Sequence, residues 1–313
     1  HCDVMVNIGA RFDDRVTGRL DAFAPGAKKI HVDIDQSSIN KNIYVDVPIV
    51  GDAATVLEEM IAIWKERKYK PNTKAIAEWW KRIDEWRGRD CLAFEQKDKI
   101  IMPQYAIQRL FEMTRDKDIY ITTEVGQHQM WAAQYFGFEE PHRWMTSGGL
   151  GTMGYGLPAA MGVQVAHPDS LVIDIAGEAS FLMNIQELST ICQYKLPVKG
   201  FIVNNQWMGM VRQWQELNHG GRYSESYSDS LPDFVKLADA FGGLGLVAET
   251  VDELDDVIEE MIKTDRFVLA DIRVKRDENC FPMIPSGAAH NEMLLGRNDE
   301  AFKVTSEKGK VLV

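Results

Sequence analysis

From residue 100 to residue 295, short apolar runs alternate with stretches of helical periodicity, and this alternation constrains the fold more than any other feature. The runs at 119–122, 171–175, 198–203 and 268–274 have strand length and are mainly apolar. That is the pattern of strands buried on both faces. Helix-length segments separate them, so neighbouring strands can pair in parallel through crossover connections. The chain is predicted to be an α/β protein with a doubly wound, mainly parallel sheet.

A second, smaller α/β region precedes it. Residues 4–8 (VMVNI) read as a buried strand that runs into a turn at Gly9, and a second strand is predicted at 29–34. A helix over about 54–68 carries Val56, Leu57, Met60, Ile61 and Trp64 on one face. Residues 1–66 are therefore assigned to the carboxyl-terminal part of one domain. Residues 67–99 are dense in charge and tryptophan and read as a linker with one helix through Trp79, Ile83 and Trp86. Residues 100–295 form the second domain, and 296–313 a polar tail. A sequence that enters at once into a strand, with no initiator Met, reads as truncated.

Charge narrows the function. The 35 Lys and Arg stand against 47 Asp and Glu, a net charge of −12, which would repel phosphate backbones and sets nucleic acid aside. No apolar run approaches the length needed to span a membrane. The four cysteines (Cys2, Cys91, Cys192, Cys280) are far apart, as expected of a reduced, cytoplasmic protein. The seven histidines are scattered, which argues against a zinc site.

The chemistry concentrates at strand ends. The run 171–175 leads into Gly177, Glu178, Ala179 and Ser180, and a helix should follow with Phe181, Ile185, Leu188 and Cys192 on one face. The next strand ends in Asn204 and Asn205. In a parallel sheet both ends fall on the carboxyl edge, where ligands bind. A carboxylate, an amide oxygen and nearby backbone carbonyls are hard donors suited to magnesium that also contacts phosphates. A glycine followed by an acid is common in such sheets, and the Asn pair one strand later makes it more specific. Residues 124–128 (EVGQH) follow the run 119–122 and open a helix, a second terminus able to face a phosphate. Residues 147–156 (SGGLGTMGYG) hold five glycines in ten positions, allowing close approach of a planar cofactor. By itself His128 would more often be structural than functional.

Together these segments resemble the acetohydroxyacid synthases (acetolactate synthases), thiamine-diphosphate enzymes, and in particular the carboxyl-terminal portion of the bacterial-like catalytic large subunit. Gly177 and Glu178 followed by Asn204 and Asn205 are similar to the thiamine-diphosphate motif, which begins Gly-Asp and ends Asn-Asn. Residues 125–133 (VGQHQMWAA), 147–158, 208–215 (MGMVRQWQ) and 281–286 (FPMIPS) are similar to the synthases specifically. Residues 9–18 (GARFDDRVTG) resemble their flavin domain.

The resemblance implies a transferase of branched-chain amino-acid biosynthesis. It would decarboxylate pyruvate and join the two-carbon unit to pyruvate or 2-oxobutanoate, giving 2-acetolactate or 2-aceto-2-hydroxybutanoate. It implies magnesium on Glu178, Asn205 and the Trp207 carbonyl. It implies thiamine diphosphate among Gly126, Gln127, His128, Gly151, Met153, Gly177, Ala179, Ser180, Gly209 and Met210. FAD is expected at Gly9, Ala10, Arg11, Asp13, Asp33, Ile34, Gly51, Asp52, Gly148 and Gly149. Arg15 is expected at the carboxylate of the second 2-oxo acid and Trp214 at the extra methyl of 2-oxobutanoate. Without the resemblance, Arg15 reads as a surface ion pair and Trp214 as core. A homodimer or higher homo-oligomer and a small regulatory subunit are the implied partners.

Two departures stand out. Glu178 and Glu124 occupy positions where the family usually has Asp. The family's amino-terminal domain, with the glutamate that activates the thiamine ring, has no counterpart here, so no catalytic residue is assigned and the isolated chain is expected to be inactive. The rival readings are a glyoxylate carboligase or pyruvate oxidase type of flavin-containing thiamine enzyme, and an inactive cofactor-binding fragment.

Overall fold

The computed structural model describes residues 1–297, and the polar tail assigned to 296–313 lies almost wholly outside them. The chain divides into two compact units. One holds residues 1–91 together with the segment from Phe281, and the other holds residues 92–280. The segment 67–99, read as a linker, is thus shared between the units, and the residues after 280 group with the first.

The first unit contains β1 (Val4–Ile8), the single turn α1 (Asp14–Thr17), β2 (Lys28–Asp33), β3 (Val47–Val50), α2 (Ala53–Glu66) and α3 (Thr73–Arg87). Its three strands pair in parallel in the order β1, β2, β3. Asp52 begins α2 by accepting from the Thr55 N–H (3.0 Å), and Asn72 begins α3 by accepting from the Ala75 N–H (3.2 Å). One expectation is corrected here: β1 is not buried. Val4, Val6 and Ile8 are exposed, because β1 is an edge strand and nothing among the described residues of this unit covers that face. The strand β3 was missed, since Pro48 in a four-residue run weakens the strand signal.

The second unit runs α4 (Pro103–Thr114), β4 (Ile119–Thr123), α5 (Gln127–Tyr135), β5 (Trp144–Thr146), α6 (Gly156–Ala166), β6 (Leu171–Ala176), α7 (Glu178–Leu182), α8 (Glu187–Gln193), β7 (Lys199–Asn204), α9 (Gly209–Asn218), α10 (Phe234–Phe241), β8 (Leu244–Ala248), α11 (Val251–Lys263) and β9 (Val268–Arg273). The six strands are all parallel, in the order β5, β4, β6, β7, β9, β8. Helices cover both faces. Ile107, Leu110, Trp131, Leu254 and Ile258 pack with Ile121, Ile173 and Phe201, while Leu157, Ile191 and Phe234 pack with Val172, Ile202 and Leu269. Alternate residues of β6 and β7 therefore enter opposite cores, which is why these strands read as mainly apolar runs rather than alternating ones.

From β4 the chain crosses outward to β5 and then returns to β6 on the other side of β4. This reversal opens a crevice at the carboxyl ends of β4 and β6, the usual ligand position in such sheets. The helix expected to run on past Ser180 is two helices. It stops after Leu182, and Asn184 turns away to donate its Nδ2 hydrogen to the Gly154 carbonyl (2.5 Å).

Candidate functional site

The carboxyl ends of β4, β6 and β7 converge on one cavity enclosing about 470 Å³ of empty space, its open mouth included. After β4 come Gly126, Gln127 and His128; after β6 come Gly177, Glu178, Ala179 and Ser180; after β7 come Asn205, Trp207, Gly209 and Met210; and Met153 reaches in from the glycine-rich turn. Every residue expected at thiamine or at the metal lines this cavity except Gly151. Gly151 is exposed, and its N–H donates to the Ser147 carbonyl (3.0 Å), so it shapes the turn instead.

Glu178 is buried, and its carboxylate accepts from the Gln206 N–H. Burial pushes its pKa up to about 8, with the charge of Asp271 adding to the shift and backbone N–H donors opposing it. A buried carboxylate is costly to charge unless an opposite charge accompanies it, which suits this group to a cation ligand. Gln206 adopts a left-handed backbone (φ 61°), which tightens the loop around that carboxylate. Asn205 accepts from the Trp207 N–H (3.0 Å) and donates from Nδ2 to Gln127 Oε1 (3.1 Å). Gln127 in turn donates to Gln213 Oε1 (2.8 Å) and the Glu278 carbonyl (3.0 Å). Gln213 closes the network by pairing with both the N–H and the carbonyl of Cys280. Sequence reasoning did not single out Gln213; its signal was a polar residue in the middle of the 208–215 motif. Among the described residues no three His, Cys, Asp or Glu side chains cluster to hold a metal, so a cation here would depend on one carboxylate, amide and carbonyl oxygens, and a ligand.

His128 is buried beside two glycines. A Cβ on Gly126 or Gly177 would come within 2.7 or 2.6 Å of its ring. One ring nitrogen bonds the Glu124 backbone, while Nε2 has no partner. Burial lowers its pKa to about 3, so the ring is neutral at physiological pH. The folded state then resists protonation that the unfolded chain accepts below the ordinary histidine value of 6.5. Stability unaffected by this group above that value is lost progressively as pH falls toward 3, by up to about 1.4 kcal/mol per pH unit. His128→Gln should therefore flatten the fall in melting temperature between pH 6.5 and 4.5. An unchanged slope would show that His128 is not buried as a neutral ring.

Trp214 is half-buried on α9, one turn beyond Met210, and does not line the cavity. Gly148 and Gly149 are exposed in the second unit. In the first unit, the expected flavin residues occupy the three loops that leave the sheet: Gly9, Ala10, Arg11 and Asp13 after β1, Asp33 and Ile34 at the end of β2, and Gly51 and Asp52 after β3. Several also have structural duties. Asp13 caps α1 and pairs with Arg11 (3.0 Å), Asp52 caps α2, and Asp33 accepts from the Asp35 N–H (2.8 Å). The Arg15 side chain is 81% exposed, 3.8 Å from Asp14.

Two protein-family models match the chain. The family described as "Thiamine pyrophosphate enzyme, C-terminal TPP binding domain" matches residues 124–272, and "Thiamine pyrophosphate enzyme, central domain" matches residues 1–60. The acetolactate synthase large subunit of Haemophilus influenzae is 44% identical over 299 residues, covering 95% of this chain and 52% of the relative. The acetolactate synthase isozyme 3 large subunit of Escherichia coli is 44% identical over 302 residues, covering 96% and 52%. The acetolactate synthase large subunit of Porphyra purpurea is 46% identical over 294 residues, covering 94% and 49%. The chain spans about half the length of the relatives it matches. It belongs to the thiamine pyrophosphate enzymes and is a homologue of the acetolactate synthase large subunits.

Proposed function

We propose that this chain forms the diphosphate-binding part of an acetolactate synthase, an enzyme of branched-chain amino-acid synthesis. The observation that carries the reading is the single cavity formed by the ends of β4, β6 and β7. The buried Glu178 carboxylate and the unpartnered Nε2 of His128, both lining that cavity, fit a polar ligand there. When bound, thiamine diphosphate supplies the carbanion chemistry that joins two 2-oxo acids.

The chain's own residues bind and orient. Glu178, Asn205 and the Trp207 carbonyl would hold Mg²⁺ together with the diphosphate. Gln127 fixes the Asn205 amide, so that oxygen rather than nitrogen is presented to the metal. His128, neutral, would accept a hydrogen bond from the ligand at Nε2 without adding a positive charge to the site. Gly126 and Gly177 leave room for the His128 ring and Gly209 for the Gln127 amide, and Met153, Met208 and Val211 exclude water. FAD belongs to the loops after β1, β2 and β3, on the carboxyl edge of a parallel sheet. Arg15 offers an exposed fork to the second carboxylate. Trp214 walls the extra methyl of 2-oxobutanoate, one turn along α9 from the cavity. A homo-oligomer, a small regulatory subunit and the cytoplasm complete the proposal. No helix among the described residues is long and apolar enough to cross a membrane.

The test is product analysis with the protein that carries this chain, supplied with all three cofactors, pyruvate and 2-oxobutanoate. Both acetohydroxy acids are expected, with 2-aceto-2-hydroxybutanoate in excess. Trp214→Leu should cut that excess about tenfold or more, the worth of one methyl in an apolar pocket. Pyruvate turnover without acetohydroxy acids would sink the reading, and an unchanged ratio would remove Trp214 from it.

A further inference from the structure

Glu124 is fully buried at the end of β4, yet its side chain does not line the cavity. Its carboxylate accepts from the Gly154 N–H (2.6 Å) and the Leu157 N–H (3.0 Å), the turn that leads into α6 and the first turn of that helix. The next peptide group is held as well, because the Gly154 carbonyl takes the Asn184 Nδ2 hydrogen (2.5 Å). Asn184 lies just past α7, whose opening residues line the cavity. One residue, Gly154, thus ties together three cavity walls through the peptide groups on its two sides: the end of β4, the glycine-rich turn bearing Met153, and α7.

A second carboxylate stands behind the first. Asp174 on β6 is buried, accepts from the Thr122 hydroxyl (3.1 Å) at one oxygen, and has no partner at the other. Burial, then the nearby charge of Glu124, raises its pKa well above the usual carboxylate range. Glu124 is also raised by burial, but the four N–H groups from Gly154 to Leu157 oppose that shift. The negative charge of the pair therefore rests on Glu124, where those N–H groups and the dipole of α6 favour it.

We propose that Glu124 is a positioning residue that presets the glycine-rich turn, and with it Met153, for the thiamine cofactor. It does so as an internal anion at the start of α6, filling a place that a ligand's phosphate would otherwise compete for. The inference rests on the thiamine-diphosphate reading of the cavity. The side chain touches neither substrate nor cofactor and acts through the Gly154 and Leu157 amides.

The test has two arms, on the protein that carries this chain. In the unmutated protein without cofactor, amide hydrogen exchange at Gly154 and Leu157 should already be slow; exchange at the rate of an open loop would overturn the preset turn. Binding of thiamine diphosphate at saturating magnesium should weaken about 10–100-fold in Glu124→Ala, the range seen when groups supporting a site are removed. Glu124→Asp, which keeps the charge on a shorter arm, should recover part of that loss. At saturating cofactor the pyruvate KM should stay within about twofold, since the interaction lost is not with substrate. Unchanged cofactor affinity in folded Glu124→Ala would overturn the proposal, and Glu124→Gln would decide in the same way if the Ala variant does not fold. If the unmutated protein binds no thiamine diphosphate, the functional reading fails, and the exchange arm still judges the clamp.

Discussion

Glu178→Ala is expected to weaken magnesium-dependent binding of thiamine diphosphate by at least about 10–100-fold, because a direct ligand should matter no less than the groups that support one. The carboxylate is buried, meets the Gln206 N–H and has its pKa pushed up to about 8. That raised value means the folded protein takes up a proton there between pH 4.5 and 8. As pH rises through that window, the cofactor-free protein loses stability, until a cation takes the proton's place. Removing the side chain removes both the penalty and the ligand, so the cofactor-free Ala variant should remain folded while losing affinity. Glu178→Asp retains the charge but withdraws it by one methylene, and should bind between the two. Calorimetric titration of the three proteins with cofactor and magnesium decides the matter. If Ala bound as tightly as Glu, residue 178 would not be a metal ligand.

Gly156→Ala should destabilise the protein by about 3 kcal/mol or more, at the upper end of what overpacking costs. A Cβ at Gly156 would lie 2.7 Å from both the Thr123 carbonyl carbon and the Glu124 nitrogen, with Asp174 Oδ1 nearer still. The first two atoms belong to the end of β4, a strand paired on both sides, and cannot swing away as a side-chain tip would. Asp174 could move only by giving up its bond to Thr122 in a buried site. Relief must come from lifting α6 off the sheet, which opens the core around Leu157 and Ala160. Denaturant unfolding measures this directly, and a loss below about 1 kcal/mol would mean that the helix does not sit so tightly on β4.

Much of this architecture could be read from the chain. The four apolar runs correspond to β4, β6, β7 and β9, because strands covered on both faces are apolar at most positions. The cavity-lining segments were legible for a related reason: Gly177 with Glu178, and Asn204 with Asn205, stand abruptly at the ends of such runs. Other elements gave weaker signals. Strand β5 is three residues long and only half-buried, and β8 contains Gly245 and faces solvent in part, so neither builds an apolar run. The break between α7 and α8 depends on Asn184 reaching a carbonyl thirty residues earlier, which no local pattern encodes. The pairing of Glu124 with the start of α6 is likewise long-range. Its one trace was Asp174, a lone carboxylate inside an otherwise apolar strand.

The single direction of all six strands has a practical consequence for anyone labelling this protein. Every residue of the cavity hangs from the carboxyl edge, so the turns that enter the strands at the opposite edge are free of that duty. The turn before β4, at Arg115, Asp116 and Lys117, is exposed and polar. A short peptide tag or a cysteine for a dye attached there would sit at the far end of the strand from the ligand. The same addition at 204–207 would cut through the Asn205 network. A parallel sheet in this way separates a working rim from a rim that can be rebuilt, and inserts should follow that division.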